Sequence, residues 1–151
     1  MLLYGIFKKD FFDSLKKNRE MNVFVLEGRP SLLSSRECCR ELFKIGITPT
    51  IICDNMAGFL FARNLVKGVY LSSQASNDQG ALCLVGGGIL GVLAKRHHVP
   101  VSLFSSVKKL EYFGKSEDIT FFNGIKVAPS NVKAYVPLVE WVSEKYITRK
   151  H

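Results

Sequence analysis

Ile51-Ile52-Cys53-Asp54-Asn55-Met56-Ala57-Gly58 decides how this chain is read. An apolar run of strand character breaks off at two polar residues, and small residues then open a helical pattern. The carboxyl end of a strand that feeds a helix is where an open α/β sheet seats its ligands. Asp54 and Asn55 therefore have two compatible roles, as the cap of the following helix and as polar lining of a crevice.

Upstream, residues 22–27 carry Val23, Phe24, Val25 and Leu26, a continuous apolar run of the buried parallel type. Pro30 stops it and can open a helix. The pattern over 32–45 predicts that helix, closed by Gly46. Residues 48–53 form a second strand, 56–66 a helix, and 69–71 a third strand after Gly68. Residues 72–80 read as a polar loop. A helix is expected over 82–97, ending before Pro100, and a fourth strand over 101–105. Residues 106–130 look irregular, with a short hairpin near 119–127. A last helix is expected over 132–146, with Pro137 in its first turn or at a kink. At the start, residues 5–20 predict an amphipathic helix with Ile6, Phe7, Phe11, Phe12 and Leu15 on one face. This alternation predicts an α/β fold: a Rossmann-like parallel sheet flanked by helices on both faces, in one domain over residues 1–151.

A chain of 151 residues suffices for one sizeable core. With 47% hydrophobic residues it is globular rather than disordered. No apolar run reaches the ~18 residues of a membrane span, and the run Met1 to Phe7 is short for a signal peptide, so a cytoplasmic location is expected. The formal net charge of +8 invites an anionic partner. Its basic clusters are scattered at element ends, where lysine and arginine suit helix C-termini. No pattern typical of nucleic-acid readers accompanies them, so nucleic acid is not an expected partner. Cys38, Cys39, Cys53 and Cys83 lack metal-ligand spacing and read as reduced thiols. His97-His98 has no third ligand near it in sequence, so no metal site is expected, and no cofactor is called for.

Other candidates have two readings each. Arg29 and Arg36 follow the first strand of the 22–58 unit, and either clamp a phosphate at the sheet edge or are simply solvated. Gly86-Gly87-Gly88 is neither G-x-G-x-x-G nor a P-loop. Close helix packing explains it best, although amides at a helix N-terminus can hold an anion.

In this order, Glu27-x-Arg29-Pro30, Arg36, Gly46-Ile47, Asp54-Asn55-Met56-Ala57-Gly58, Gly86 and Val92-Leu93-Ala94-Lys95-x-x-x-Val99-Pro100 resemble one family. It comprises methylthioribose-1-phosphate isomerase, ribose-1,5-bisphosphate isomerase and the alpha, beta and delta subunits of translation initiation factor 2B. The resemblance implies that this chain is equivalent to the family's C-terminal Rossmann-like domain, which dimerises. It also implies that the family's helical N-terminal domain, and the isomerases' catalytic cysteine, lie outside this chain.

The departures concern chemistry. Aligned through Gly86 and Ala94-Lys95, the isomerases' acid-base aspartate falls on Ser73, and their Asn-Lys pair on Cys83 and Leu84. Their Gln-Gly falls on Leu33 and Ser34. Aldose-ketose isomerisation needs a group that gives and takes a proton beside the substrate, and a serine hydroxyl cannot replace a carboxylate. Asp78 reaches the place only if the polar loop refolds. The resemblance thus implies no catalytic residue, with Arg29, Arg36, Asp54, Asn55 and Gly86 left as ligand-binding candidates. The expected function is that of a pseudoenzyme: a homodimer that binds a partner protein or a phosphorylated sugar or nucleotide. The alternative is a sugar-phosphate isomerase completed by another chain. Val92, Leu93, Val139, Trp141 and Val142 are the apolar residues expected at the dimer contact.

Overall fold

The computed structural model describes residues 1–16 and 22–151. Its centre is a run of parallel strands: β1 (Leu2–Tyr4), β2 (Phe24–Leu26), β3 (Thr50–Ile52), β4 (Val69–Asn77), β6 (Val101–Ser105) and β10 (Arg149–Lys150), ordered β10-β6-β4-β1-β2-β3. β5 (Gly80–Leu84) runs antiparallel to the outer half of β4, and β9 (Val139–Ser143) antiparallel to β5. The sheet is therefore mixed rather than wholly parallel.

The helices are α1 (Lys9–Leu15), α2 (Leu33–Lys44), α3 (Ala57–Ala62) and α4 (Gly87–Arg96). Alternation along β1 sends Leu2 and Tyr4 into one apolar cluster and Leu3 into another. Leu3 joins Phe11 and Phe12 of α1 and Cys38 and Leu42 of α2. Leu2 and Tyr4 join Leu60 and Phe61 of α3 and Leu90 and Ala94 of α4. Helices thus cover both faces, as expected of an α/β sheet. Among the described residues no helix is long and apolar enough to cross a membrane.

Four expectations are corrected. The first helix is shorter than 5–20, because Leu2–Tyr4 is the strand between β2 and β4 and only Lys9–Leu15 is α-helical; residues 17–20 of that prediction lie outside the described ones. Burying both faces of β1 outweighs the helical spacing that its neighbours share. Residues 72–80 are not a loop but the far half of β4 and the turn into β5. The helix expected from 82 starts at Gly87, since Leu82–Leu84 pair with Val139–Trp141. The helix expected over 132–146 is replaced by β9, a 3₁₀ turn (Glu144–Tyr146) and β10. Pro137 stands before β9, where a missing N–H costs no ladder bond. The hairpin expected near 119–127 is present as α5 (Glu117–Thr120), β7 (Phe121–Phe122) and β8 (Ile125–Lys126).

Candidate functional site

Asp54 leaves β3 at its carboxyl end, in a 3₁₀ turn that leads into α3. Its Oδ1 accepts the backbone N–H of Gly28 and its Oδ2 that of Arg29, each at 2.8 Å. The carboxylate so joins the ends of β2 and β3. Beside it opens a pocket of about 480 Å³ lined by Tyr4, Leu26, Asp54, Asn55, Ala57, Gly58, Val85, Gly86, Ile89, Leu90 and Leu93. These residues stand at or just beyond the ends of β1, β2, β3 and β5, or on the helices that follow, so the pocket sits at the carboxyl edge of the sheet, as the sequence implies.

A second carboxylate tie, behind the lining residue Gly86, comes from a residue that the sequence does not single out. Glu140 on β9 turns its Oε1 to the start of α4 and accepts the N–H groups of Gly86 at 2.7 Å and Gly88 at 2.8 Å. Gly86 has φ +101, and its own Cβ position would lie 3.5 Å from the Tyr4 ring. A side chain there would be strained by the backbone conformation. Gly87 faces Val142 and Cys83 at 3.1 and 3.2 Å, so the glycine run also lets α4 press on the sheet. Both readings of the glycines hold at once, with the anion supplied by the protein itself.

Tyr4 lines the pocket, and its hydroxyl donates to the Val85 carbonyl at 2.6 Å. Burial first, then the charges of Asp54 and Glu140, push its phenol well above the ordinary value. Cys83 faces Glu140 across the β5–β9 pair. Burial and that carboxylate push its thiol up to about 12, so it stays protonated and unreactive at neutral pH. Cys38 is also buried, and burial pushes its thiol up too.

Of the five ligand-binding candidates, Asp54, Asn55 and Gly86 line this pocket. Arg29 contributes only its backbone N–H to Asp54; its guanidinium lies 4.8 Å from the centre of the Phe122 ring. Arg36 is exposed on α2 and does not line the pocket. Among the described residues, those that line it include no lysine, arginine or histidine.

Ser73 pairs in register with Cys83 of β5 and Ser105 of β6, is 8% exposed, and reaches only the Phe104 carbonyl, at 3.5 Å. Asp78 does not take its place. It lies in the β4–β5 turn, five residues further on, roughly 16 Å away along an extended strand. Among the described residues no group of three or more His, Cys, Asp or Glu is placed to hold a metal ion.

Tyr4 and Glu140 escape the sequence reading because the expected elements are wrong at both places: Tyr4 falls in no expected element, and Glu140 in a helix that is not there. The spacing Val136, Leu138, Val139, Val142 around Pro137 carries a β-branched signal that favours strand, and it is the available clue to Glu140.

The comparisons agree with this architecture. Methylthioribose-1-phosphate isomerase of Caldicellulosiruptor saccharolyticus is 30% identical, matching 95% of this chain and 44% of its own length. The enzyme of the same name from Thermus thermophilus is 31% identical over 96% of this chain and 48% of its own. The chain thus spans less than half the length of these relatives. The delta subunit of A. fulgidus translation initiation factor 2B superposes with a TM-score of 0.84 at 21% identity, covering 99% of this chain and 51% of that one. The 5-methylthioribose 1-phosphate isomerase of Pyrococcus horikoshii OT3 does so at 0.76 and 20% identity, covering 90% and 42%. At such identities these structural likenesses speak for the fold alone. The family signature extends over residues 10–149, and the chain belongs to the Initiation factor 2 subunit family.

Proposed function

We propose that this chain is a non-catalytic member of its family that acts by binding. The observation that carries the reading is at position 73. A half-satisfied serine hydroxyl stands where the resemblance puts the isomerases' aspartate. Neither nearby acid makes good the loss. Asp54 and Glu140 each accept two backbone N–H groups and serve as structural ties, and the Cys83 thiol is held protonated. A proton-transfer group has to be free to change its bonds during the reaction.

The binding partner we favour is a second copy of this chain, with a further protein as the functional target. Met56, Phe59, Ile89 and Val92 are exposed apolar residues on α3 and α4 and the turn before α3, elements that pack on each other. Large apolar groups together on a surface mark interaction sites. Trp141 is also exposed, whereas Val139 and Val142 belong to the core and take no part in such a contact. Light scattering at micromolar concentration should report a dimer; a monomer removes this part of the reading.

A phosphorylated ligand fits less well, because Arg36 does not line the pocket and the Arg29 guanidinium lies over Phe122. The second reading, an isomerase completed by another chain, is favoured by the 30% identity to proteins named for that activity. Incubating the chain with methylthioribose 1-phosphate separates the two. The non-catalytic reading expects no ketose product from the chain alone or with a co-purified partner, and product only with a partner supports the second.

A further inference from the structure

Among the described residues, Asp54 is the one charged side chain in the lining of the pocket of about 480 Å³. Its Oδ1 and Oδ2 each accept one backbone N–H, from Gly28 and Arg29. A carboxylate has roughly four acceptor sites, so about half of them remain. No lysine, arginine or histidine forms an ion pair with it among the described residues. The other polar side chains of the lining are Tyr4 and Asn55. The Tyr4 hydroxyl gives its proton to the Val85 carbonyl and so offers the pocket an oxygen only. The side chains thus present mainly acceptors and one negative charge, set among the apolar walls of Leu26, Ile89, Leu90 and Leu93.

We propose that this pocket binds a small organic cation, a protonated amine on a compact apolar body, with the ammonium group on Asp54. An ammonium N–H to a carboxylate is a charge-assisted hydrogen bond, and the half-buried position of Asp54 weakens screening by salt. The apolar body then covers the leucine and isoleucine walls and removes them from water. A neutral ligand of the same shape keeps the second contribution and loses the first. An anionic one meets the like charge of Asp54 with no cationic side chain in the lining to offset it. The assignment goes beyond the dimer reading and does not rest on it, although Ile89 belongs to both surfaces.

The test titrates the chain at neutral pH with phenethylamine, 2-phenylethanol and phenylacetate, which share a ring and differ in carrying a cationic, a neutral or an anionic tip. The amide resonances of Gly58 and Gly86, both in the lining, report the pocket. Gly46, outside the lining, reports non-specific effects. Phenethylamine should shift Gly58 and Gly86, leave Gly46 unmoved, and bind at least about an order of magnitude more tightly than 2-phenylethanol. Phenylacetate should shift neither lining glycine. Asp54→Asn should bring phenethylamine down to the level of the alcohol and leave the alcohol as it was, whereas damage to the fold would weaken both alike. The comparison of probes in the wild type stands whether or not that variant folds. A smaller preference for the amine, shifts with phenylacetate, or no shift with phenethylamine overturns the proposal. So does a folded Asp54→Asn chain that keeps the preference. Light scattering on the same samples reads the dimer separately, so a monomer that binds the amine removes the dimer and leaves this assignment standing.

Discussion

The carboxylate of Asp54 holds the backbone of Arg29, accepting its N–H at 2.8 Å while the same group also accepts that of Gly28. Two strand ends and the loop between them are fixed by one side chain. Hydrogen bonds to a charged acceptor contribute about 1.5–3 kcal/mol each where they are shielded, and these are only partly so. Asp54→Ala should therefore cost about 2–3 kcal/mol, read as a lower urea midpoint. Asp54→Asn, which keeps one acceptor, should cost about half as much. A loss below about 0.5 kcal/mol, the level of an ordinary surface change, would show that the loop is held by other contacts.

Gly5 ends β1 at φ +147, and a Cβ there would lie 2.2 Å from the Ser72 hydroxyl oxygen. That hydroxyl accepts the Ile6 N–H at 2.7 Å, and Ser34 accepts the Gly5 N–H at 2.9 Å. Gly5→Ala meets both a backbone conformation that disfavours a side chain and a tightly filled space. A loss of about 3 kcal/mol or more is expected, seen in thermal melts or as loss of soluble protein. A variant as stable as the parent would contradict the placement of β1.

The buried thiols make stability depend on alkaline pH. Cys83 is raised by burial and by Glu140 from 9.0 to about 12, and Cys38 and Tyr4 are raised as well. In that range the unfolded chain releases protons that the folded chain keeps, so the folded state binds more. Stability then falls as pH rises, from about 9 towards 12, with a slope near 1.4 kcal/mol per pH unit for each group fully shifted. Below about pH 8 these groups contribute no slope, since both states hold their protons. Urea midpoints across pH 7 to 11 should be flat and then decline; a flat profile throughout would contradict the burial of these groups.

Thiol labelling checks the same geometry residue by residue. Cys53 is exposed, whereas Cys38 and Cys83 are buried. An alkylating reagent at pH 8 should modify Cys53 first and reach Cys38 and Cys83 only after denaturant is added. Prompt labelling of Cys83 in the native chain would mean a reactive thiol beside Glu140, and would reopen the catalytic question.

How much is legible in the sequence follows from where each residue's partners lie. α2 with Gly46, and β3 with Asp54-Asn55, announce themselves because their signals are local: an apolar period, a C-cap glycine, a polar stop. β1 is three residues long, and only the burial of Leu2 and Leu3 on opposite faces reveals it. Ser72 to Asn77 read as loop by composition, yet they pair with β5 and β6, and their outer members stay polar because they extend into solvent. Glu140 gains its role from glycines on another element, and no spacing in the sequence points to that pairing. Asp54, Asn55 and Gly86 come to line the pocket because they follow strands. Arg36 does not line it, because a position after a strand does not say which way the side chain points.

The apolar surface of α3 and α4 allows a direct perturbation. Ile89 is 66% exposed and Val92 50%, so neither is needed for the core. Ile89→Glu combined with Val92→Asp should leave the melting temperature of the monomer nearly unchanged. It should turn the proposed dimer into a monomer in light scattering at micromolar concentration. A dimer that survives both charges would place the contact elsewhere, with the exposed Trp141 the next position to change.

The most direct measurement is ³¹P NMR of methylthioribose 1-phosphate with the purified chain in stoichiometric excess, conditions under which even one slow turnover per molecule is visible. On the proposed reading, with Ser73 where the resemblance puts the isomerases' aspartate and with Asp54 and Glu140 bound to backbone amides, the methylthioribose 1-phosphate resonance should persist unchanged for hours. Conversion to the ketose phosphate by this chain alone, abolished by a substitution within the crevice, would contradict the account.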